Sequence, residues 1–161
     1  YLRAPRPFVE QEDEIVSWHR ESFYGANLER SVVVWTPIDG VELNNTLSFI
    51  PKSQTIPDEE LVVKNVDDKF SKKGSVSHLT GQPYSPKKIF KGVDLENNRR
   101  MLVPDYSSSI FSSDLIHGSG HNRSQIIRFA TDYIIFPKKH WKPSFNRDPL
   151  FNSGKPGFEA F

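Results

Sequence analysis

The sequence predicts an all-β-dominated fold, a sandwich or jelly roll, and three observations carry that expectation. Short stretches rich in β-branched and aromatic residues recur along the chain. Polar turns separate them, and helical periodicity is scarce. Many short strands in one small domain bury their apolar faces by packing as two layers. No internal repeat of the solenoid kind is present.

The expected strands run in order from the N-terminus. The first covers Glu14 to His19, with Ile15, Val16 and Trp18 leading into a histidine. Next come Ser31 to Ile38, which holds Val32-Val33-Val34-Trp35, and Leu47 to Ile50. Arg100 to Val103, Ser109 to His117 and Ile126 to Phe136 complete the set, the second of these interrupted by serines and an aspartate. Between Thr55 and Arg100 the composition turns to lysine, aspartate, proline and glycine, as in Val66-Asp67-Asp68-Lys69. Residues 55–100 are therefore expected to be a variable, solvated connection, with a lid over a substrate as the functional alternative. Leu61, Val62 and Val63 are suited to tether one end of it. From Pro137 to Phe161, Trp141, Phe145, Phe151, Phe158 and Phe161 are expected to pack over the core.

Composition narrows the function classes. A chain of 161 residues, 36% hydrophobic and 25% charged, fits one domain spanning 1–161 with an ordinary core. A formal net charge of +1 gives no reason to expect nucleic acid or a membrane surface as partner, and no apolar stretch approaches the roughly 20 residues of a spanning helix. With no cysteine, disulfides, thiolate metal sites and cysteine nucleophiles are all excluded, and the expected compartment is the cytoplasm. Asn44-Asn45-Thr46 and Asn122-Arg123-Ser124 match the glycosylation triplet, a pattern common by chance. No Walker-type or Gly-x-Gly-x-x-Gly loop is present, and Gly118-Ser119-Gly120-His121 lacks the full nucleophile-elbow pattern. The sequence sets no oligomeric state.

The chemistry-bearing residues are His19-Arg20-Glu21 and the downstream run from His117 to Arg128. Two imidazoles and one carboxylate make a 2-His-1-carboxylate face, which leaves open positions on a non-haem Fe(II) centre. Alone, His-x-Glu is more often two polar residues sharing one strand face, because positions i and i+2 point the same way. What raises its weight here is that both His19 and His117 follow apolar, strand-like approaches. An arginine at fixed distance, Arg128, has the chemistry to hold a carboxylate; its ordinary alternative is a surface ion pair.

Several stretches together resemble the phytanoyl-CoA dioxygenase family of 2-oxoglutarate-dependent oxygenases. Trp18-His19-Arg20-Glu21 is similar to that family's Trp-His-x-Asp metal strand. Val32 to Asp39 followed by Asn44 to Ser53 resembles its strand, turn and strand ending in a Pro-Gly-Ser-His-like stretch. His117-Gly118-Ser119 with Asn122 and Ser124 resembles its distal-histidine motif, with Arg128 at the family spacing of 128 − 117 = 11. The likeness runs from about Trp18 to about Pro137. It departs in three places: Glu21 stands for aspartate, Lys52 for glycine and Gln54 for histidine.

The resemblance implies a double-stranded β-helix, the cupin-like jelly roll. It also places His19 after an N-terminal region of helices and early strands, so part of that region is expected to be missing from a chain that starts at Tyr1. It implies Fe(II) on His19, Glu21 and His117, with 2-oxoglutarate and O2 as co-substrates. Arg128 would anchor the distal carboxylate of 2-oxoglutarate, Ser119 would donate a hydroxyl and Trp35 would wall the pocket. The implied reaction is hydroxylation of a small-molecule substrate with release of succinate and CO2. Retention of a carboxylate at Glu21 argues against the related halogenases.

Two other readings stay open: a non-catalytic jelly-roll binding module, and a metal-dependent cupin enzyme that uses no 2-oxoglutarate. Asn122 and Ser124 are expected to shape the turn after His117. His78, His121 and His140 lack partners at site-defining spacing and are expected in ordinary roles, with His121 near enough to His117 to orient a neighbour.

Overall fold

The computed structural model describes residues 2–8, 17–24, 30–65, 87–104, 106–135, 137 and 139. Nine strands are described: β1 (Leu2–Arg3), β2 (Val32–Asp39), β3 (Leu47–Phe49), β4 (Val62–Asn65), β5 (Lys87–Lys91), β6 (Arg99–Arg100), β7 (Ser109–Ser112), β8 (His117–Ser119) and β9 (Phe129–Ile135). They pair antiparallel as β1-β9-β2-β7, β6-β3-β8 and β4-β5. Residues 17–20 continue the second group. His19 exchanges both backbone hydrogen bonds with His117 of β8, and Trp18 O accepts from Ile89 N of β5 at 2.8 Å. The result is a jelly-roll sandwich, the double-stranded β-helix expected. Three short 3-10 turns, Glu21–Tyr24, Ser53–Thr55 and Asp58–Glu60, are the named helical elements among the described residues, and none of them is long and apolar enough to cross a membrane.

Alternation along β2 builds the interior. Val33 and Trp35 face inward and are buried, while Val32 lies on the outer face. Trp35 packs with Leu47, Met101 and Ala130 between the two larger sheets, and Ile50, Leu61, Ile89 and Ile116 form a second core beneath β5. Pro37 is tolerated in β2 because pairing with β7 ends at Trp35↔Ser109; beyond it the strand has β9 as its one ladder partner.

Two differences from the expected elements have local causes, and two more are shifts of strand boundary. The stretch from Ser109 to His117 is two strands, because Ser113-Asp114-Leu115 turns the chain from one sheet into the other. Ser112 Oγ accepts from Asp114 N and Ser112 O from Leu115 N, local bonds that compete with the ladder. The region 55–100 is not all connection: β4 and β5 pair within it, and Ile89 is buried among lysines that masked its strand. Leu61 is the buried tether there, whereas Val62 and Val63 are exposed. Of the expected strand Arg100 to Val103, Arg100 alone lies in β6, which starts one residue earlier at Arg99, and β9 begins at Phe129 rather than Ile126. The stretch Glu14–Val16, the middle of 55–100, His78, His140 and the C-terminal aromatics lie outside the described residues.

Candidate metal centre

The two histidines are joined through their backbones before their side chains meet. His19 N donates to His117 O at 3.0 Å and His117 N to His19 O at 3.1 Å, which sets both rings on one face with centroids 4.4 Å apart. Phe111 packs edge-on against the His117 ring at 5.0 Å. Glu21 does not share a strand with His19; it opens the Glu21–Tyr24 turn, and its longer side chain returns to the same point. Its Oε1 lies 3.4 Å from His19 Nε2 and 3.6 Å from His117 Nε2.

Each imidazole is oriented by a carbonyl two residues earlier. His19 Nδ1 donates to Ser17 O at 2.7 Å and His117 Nδ1 to Leu115 O at 2.9 Å. With Nδ1 so committed, Nε2 is the atom each ring turns toward Glu21: protonated it donates to the carboxylate, and deprotonated it offers the lone pair by which a histidine ligates a metal. Burial first, and then His117, pushes the His19 pKa below its usual 6.5. Burial pushes Glu21 upward, but hydrogen bonds from His117 and His19 outweigh it and hold the carboxyl below the usual carboxylate range. A neutral imidazole and an ionised carboxylate are the forms a divalent cation binds. One ligand atom from each of the three residues falls within 4.8 Å of the others, and they are the metal-competent His/Asp/Glu group found among the described residues. Three ligand atoms converging this closely need a shared proton or a cation among them, and two imidazoles with one carboxylate are a donor set that fits a divalent metal.

The same cavity is lined by Arg3, Trp35, Leu47, Gly118, Ser119, Arg128 and Asp132. Arg128 is buried, and one terminal nitrogen donates to Asn45 O, while its Nε has no partner among the described residues. Burial lowers its pKa to about 10, with Asp132 opposing and Arg3 adding to the shift, so the guanidinium stays charged. Trp35 Nε1 is a second buried donor without a partner among the described residues. Two such donors beside a cation site suit an anionic acceptor. Ser119 is buried on the same strand as His117.

Around this cavity runs a scaffold. Asn122 Nδ2 donates to Pro5 O at 2.9 Å and Ile126 O at 2.8 Å, and its Oδ1 accepts from Ser124 N and Oγ. Asn45 Nδ2 reaches Ser124 Oγ at 2.9 Å. Asn122 and Ser124 thus shape the loop before Arg128, as expected from their chemistry, and Asn122 is buried and committed. Gly40 lets that loop come close: its φ is +67°, and a Cβ there would meet Ile127 O at 2.2 Å. Lys52 is also left-handed, φ +65°, which gives a physical reason for glycine at that place in the resembling family.

The structure brings His19, Glu21, His117, Ser119, Trp35 and Arg128 to one cavity, and leaves His121 outside the three-residue group. Sequence reasoning missed Arg3 and Asp132, which pair at 3.1 Å at the cavity wall, and Arg20. Asp132 was legible as a charged residue on the inward face of an apolar strand, in phase with Arg128. Arg3 was not, because nothing local ties it to β9.

A family model described as phytanoyl-CoA dioxygenase (PhyH) matches residues 7–130 of the chain. Among solved structures, EvdO2 from Micromonospora carbonacea var. aurantiaca, complexed with 2-oxoglutarate, is similar at 16% identity and a TM-score of 0.58, over 83% of this chain and 47% of that one. The non-haem monooxygenase ThoJ, in its apo form, is similar at 19% identity and a TM-score of 0.51, over 85% of this chain and 45% of that one. The chain therefore spans about half the length of these structures, and the likeness is one of fold. No curated protein matches.

Proposed function

The chain belongs to the phytanoyl-CoA dioxygenase family, and from that premise we propose that it is, or is the jelly-roll part of, a non-haem Fe(II)- and 2-oxoglutarate-dependent oxygenase. The observation that carries the reading is the convergence of His19 Nε2, His117 Nε2 and Glu21 Oε1 in one cavity that also holds the Arg128 guanidinium.

His19, Glu21 and His117 would hold the metal. When bound, Fe(II) with 2-oxoglutarate and O2 supplies oxidative decarboxylation to succinate and CO2 coupled to oxidation of an unactivated C–H bond. The protein's own share is placement. Ser17 O and Leu115 O fix the imidazole tautomers. Arg128 anchors the distal carboxylate of 2-oxoglutarate with a charge-assisted bond, and Trp35 Nε1 is the neighbouring donor. Ser119 offers a hydroxyl on the same wall. Leu47, Trp35 and Phe111 keep the surroundings apolar and so limit water. Hydroxylation of a small molecule is the outcome we favour, since a carboxylate ligand is retained at Glu21.

Anaerobic titration tests this reading. A weak visible charge-transfer band is expected when both Fe(II) and 2-oxoglutarate are added, and is expected to vanish in Glu21→Ala and His117→Ala. A band that needs no 2-oxoglutarate would point to a metal-dependent cupin; no metal binding would leave a non-catalytic jelly roll.

A further inference from the structure

Arg20 stands between two of the proposed ligands and turns away from them. His19 and Glu21 line the cavity, whereas the Arg20 guanidinium is 2% exposed and bound by the turn that follows β3. It donates to the Asp58 carboxylate, to Ser53 O at 2.7 Å and to Ile56 O at 2.7 Å, and its charged end lies 6.0 Å from the Phe23 ring centre. The same turn holds the other half of the ligand set. Ile50 N donates to Ile116 O at 2.9 Å, and Ser53 Oγ accepts from Ile116 N at 2.8 Å. Both backbone polar groups of the residue before His117 are therefore fixed by residues 50–53, while residues 53–58 fix the residue between His19 and Glu21.

Resting on the metal-centre reading above, we infer that Arg20 is a positioning residue: clamped to the turn at 50–58, it sets His19 and Glu21 at the correct separation from His117 and so tunes metal affinity. A planar guanidinium presents donors in a rigid fan that meets a carboxylate and two carbonyls together. A single ammonium cannot span the three. Partners one step removed from a metal typically change affinity by about 10–100-fold.

The test uses the whole chain as wild type, Arg20→Lys and Asp58→Asn, with thermal melts beside anaerobic Co(II) titrations read by the visible d–d bands and by chelator competition. Arg20→Lys is expected to weaken Co(II) binding by about tenfold or more and to move the bands. Asp58→Asn is expected to weaken it about threefold, because both carbonyl clamps remain and the carboxylate is 63% exposed. A purely fold-supporting Arg20 would lower the melting temperature and leave the affinity and bands of the folded protein unchanged, and that result overturns the inference. If Arg20→Lys does not fold, Asp58→Asn decides by the same criteria. A wild type that binds no Co(II) removes the metal centre itself; a wild type that binds with unaltered variants removes the clamp alone.

Discussion

Two polar clusters lie within this sandwich, one made of the buried Asn45, Asn122 and Ser124 and the other of His19, His117, Trp35 and Arg128, all buried, with the partly buried Glu21. In the first, side-chain groups are matched within the fold. Asn45 serves Glu42, Gly40 and Ser124, and Asn122 serves Pro5, Ile126 and Ser124. In the second, two imidazole Nε2 atoms and a carboxylate face one another, and the Arg128 Nε and Trp35 Nε1 donors find no partner among the described residues. Burial of an unmatched polar group costs about 1–3 kcal/mol. Arg20 Nε, Ser22 Oγ and Ser113 Oγ are also unmatched among the described residues, away from the cavity. Arg128 and Trp35, however, line one cavity together with the two imidazoles and the carboxylate, and that convergence marks a place for a ligand. The first cluster is scaffold and the second is a site.

The largest effect that would break this comparison lies in the ligands. Removing an outer partner of a metal costs about 10–100-fold, so Glu21→Ala or His117→Ala is expected to weaken Mn(II) binding by more than about 100-fold, measured by electron paramagnetic resonance. Wild-type affinity in either variant would place the metal elsewhere. Next is Arg128→Ala, which should leave metal affinity in place and raise the 2-oxoglutarate needed for half-saturation by roughly 100-fold, since a charged partner loses its counterpart. Equal 2-oxoglutarate dependence in wild type and variant would remove the anchor.

The scaffold should respond in the opposite sense. Asn122→Ala strands Pro5 O and the Ser124 amide and removes one of the two donors to Ile126 O, and is expected to cost about 2–3 kcal/mol in denaturant unfolding. Metal affinity of the folded protein should change less than about threefold, because the ligands are held by other bonds. Loss of metal with no loss of stability would reverse the two assignments. A smaller effect concerns acid. His19 is held below 6.5 and Glu21 below the carboxylate range, so in both cases the unfolded chain binds protons more readily than the fold. The stability His19 contributes is full above pH 6.5 and falls as pH drops below it; the Glu21 contribution starts to fall below about pH 4.5. The metal-free midpoint in urea should therefore decline from pH 7 to pH 5, with a shallower decline in His19→Gln. A flat profile in wild type would contradict the buried, neutral imidazole.

The site was more legible in the sequence than its supports. His19, Glu21, His117 and Arg128 carry their chemistry in short, ordered motifs, and β2 showed itself through Val33 and Trp35 alternating with outer residues. Arg20 gave no such signal, because its partners Ser53, Ile56 and Asp58 lie more than thirty residues away in a turn. β4 and β5 were hidden by their lysines, with Ile89 deeply buried between them. The break at 113–116 follows from hydrogen bonds of Ser112, which composition alone does not reveal.

The most direct test is calorimetric titration of 2-oxoglutarate into the anaerobic protein, once metal-free and once loaded with Co(II). Tight, stoichiometric binding to the loaded form, weak binding to the metal-free form, and loss of the tight phase in Arg128→Ala are predicted. Binding of equal strength with and without the ion would contradict the claim that the two halves of the second cluster serve one ligand.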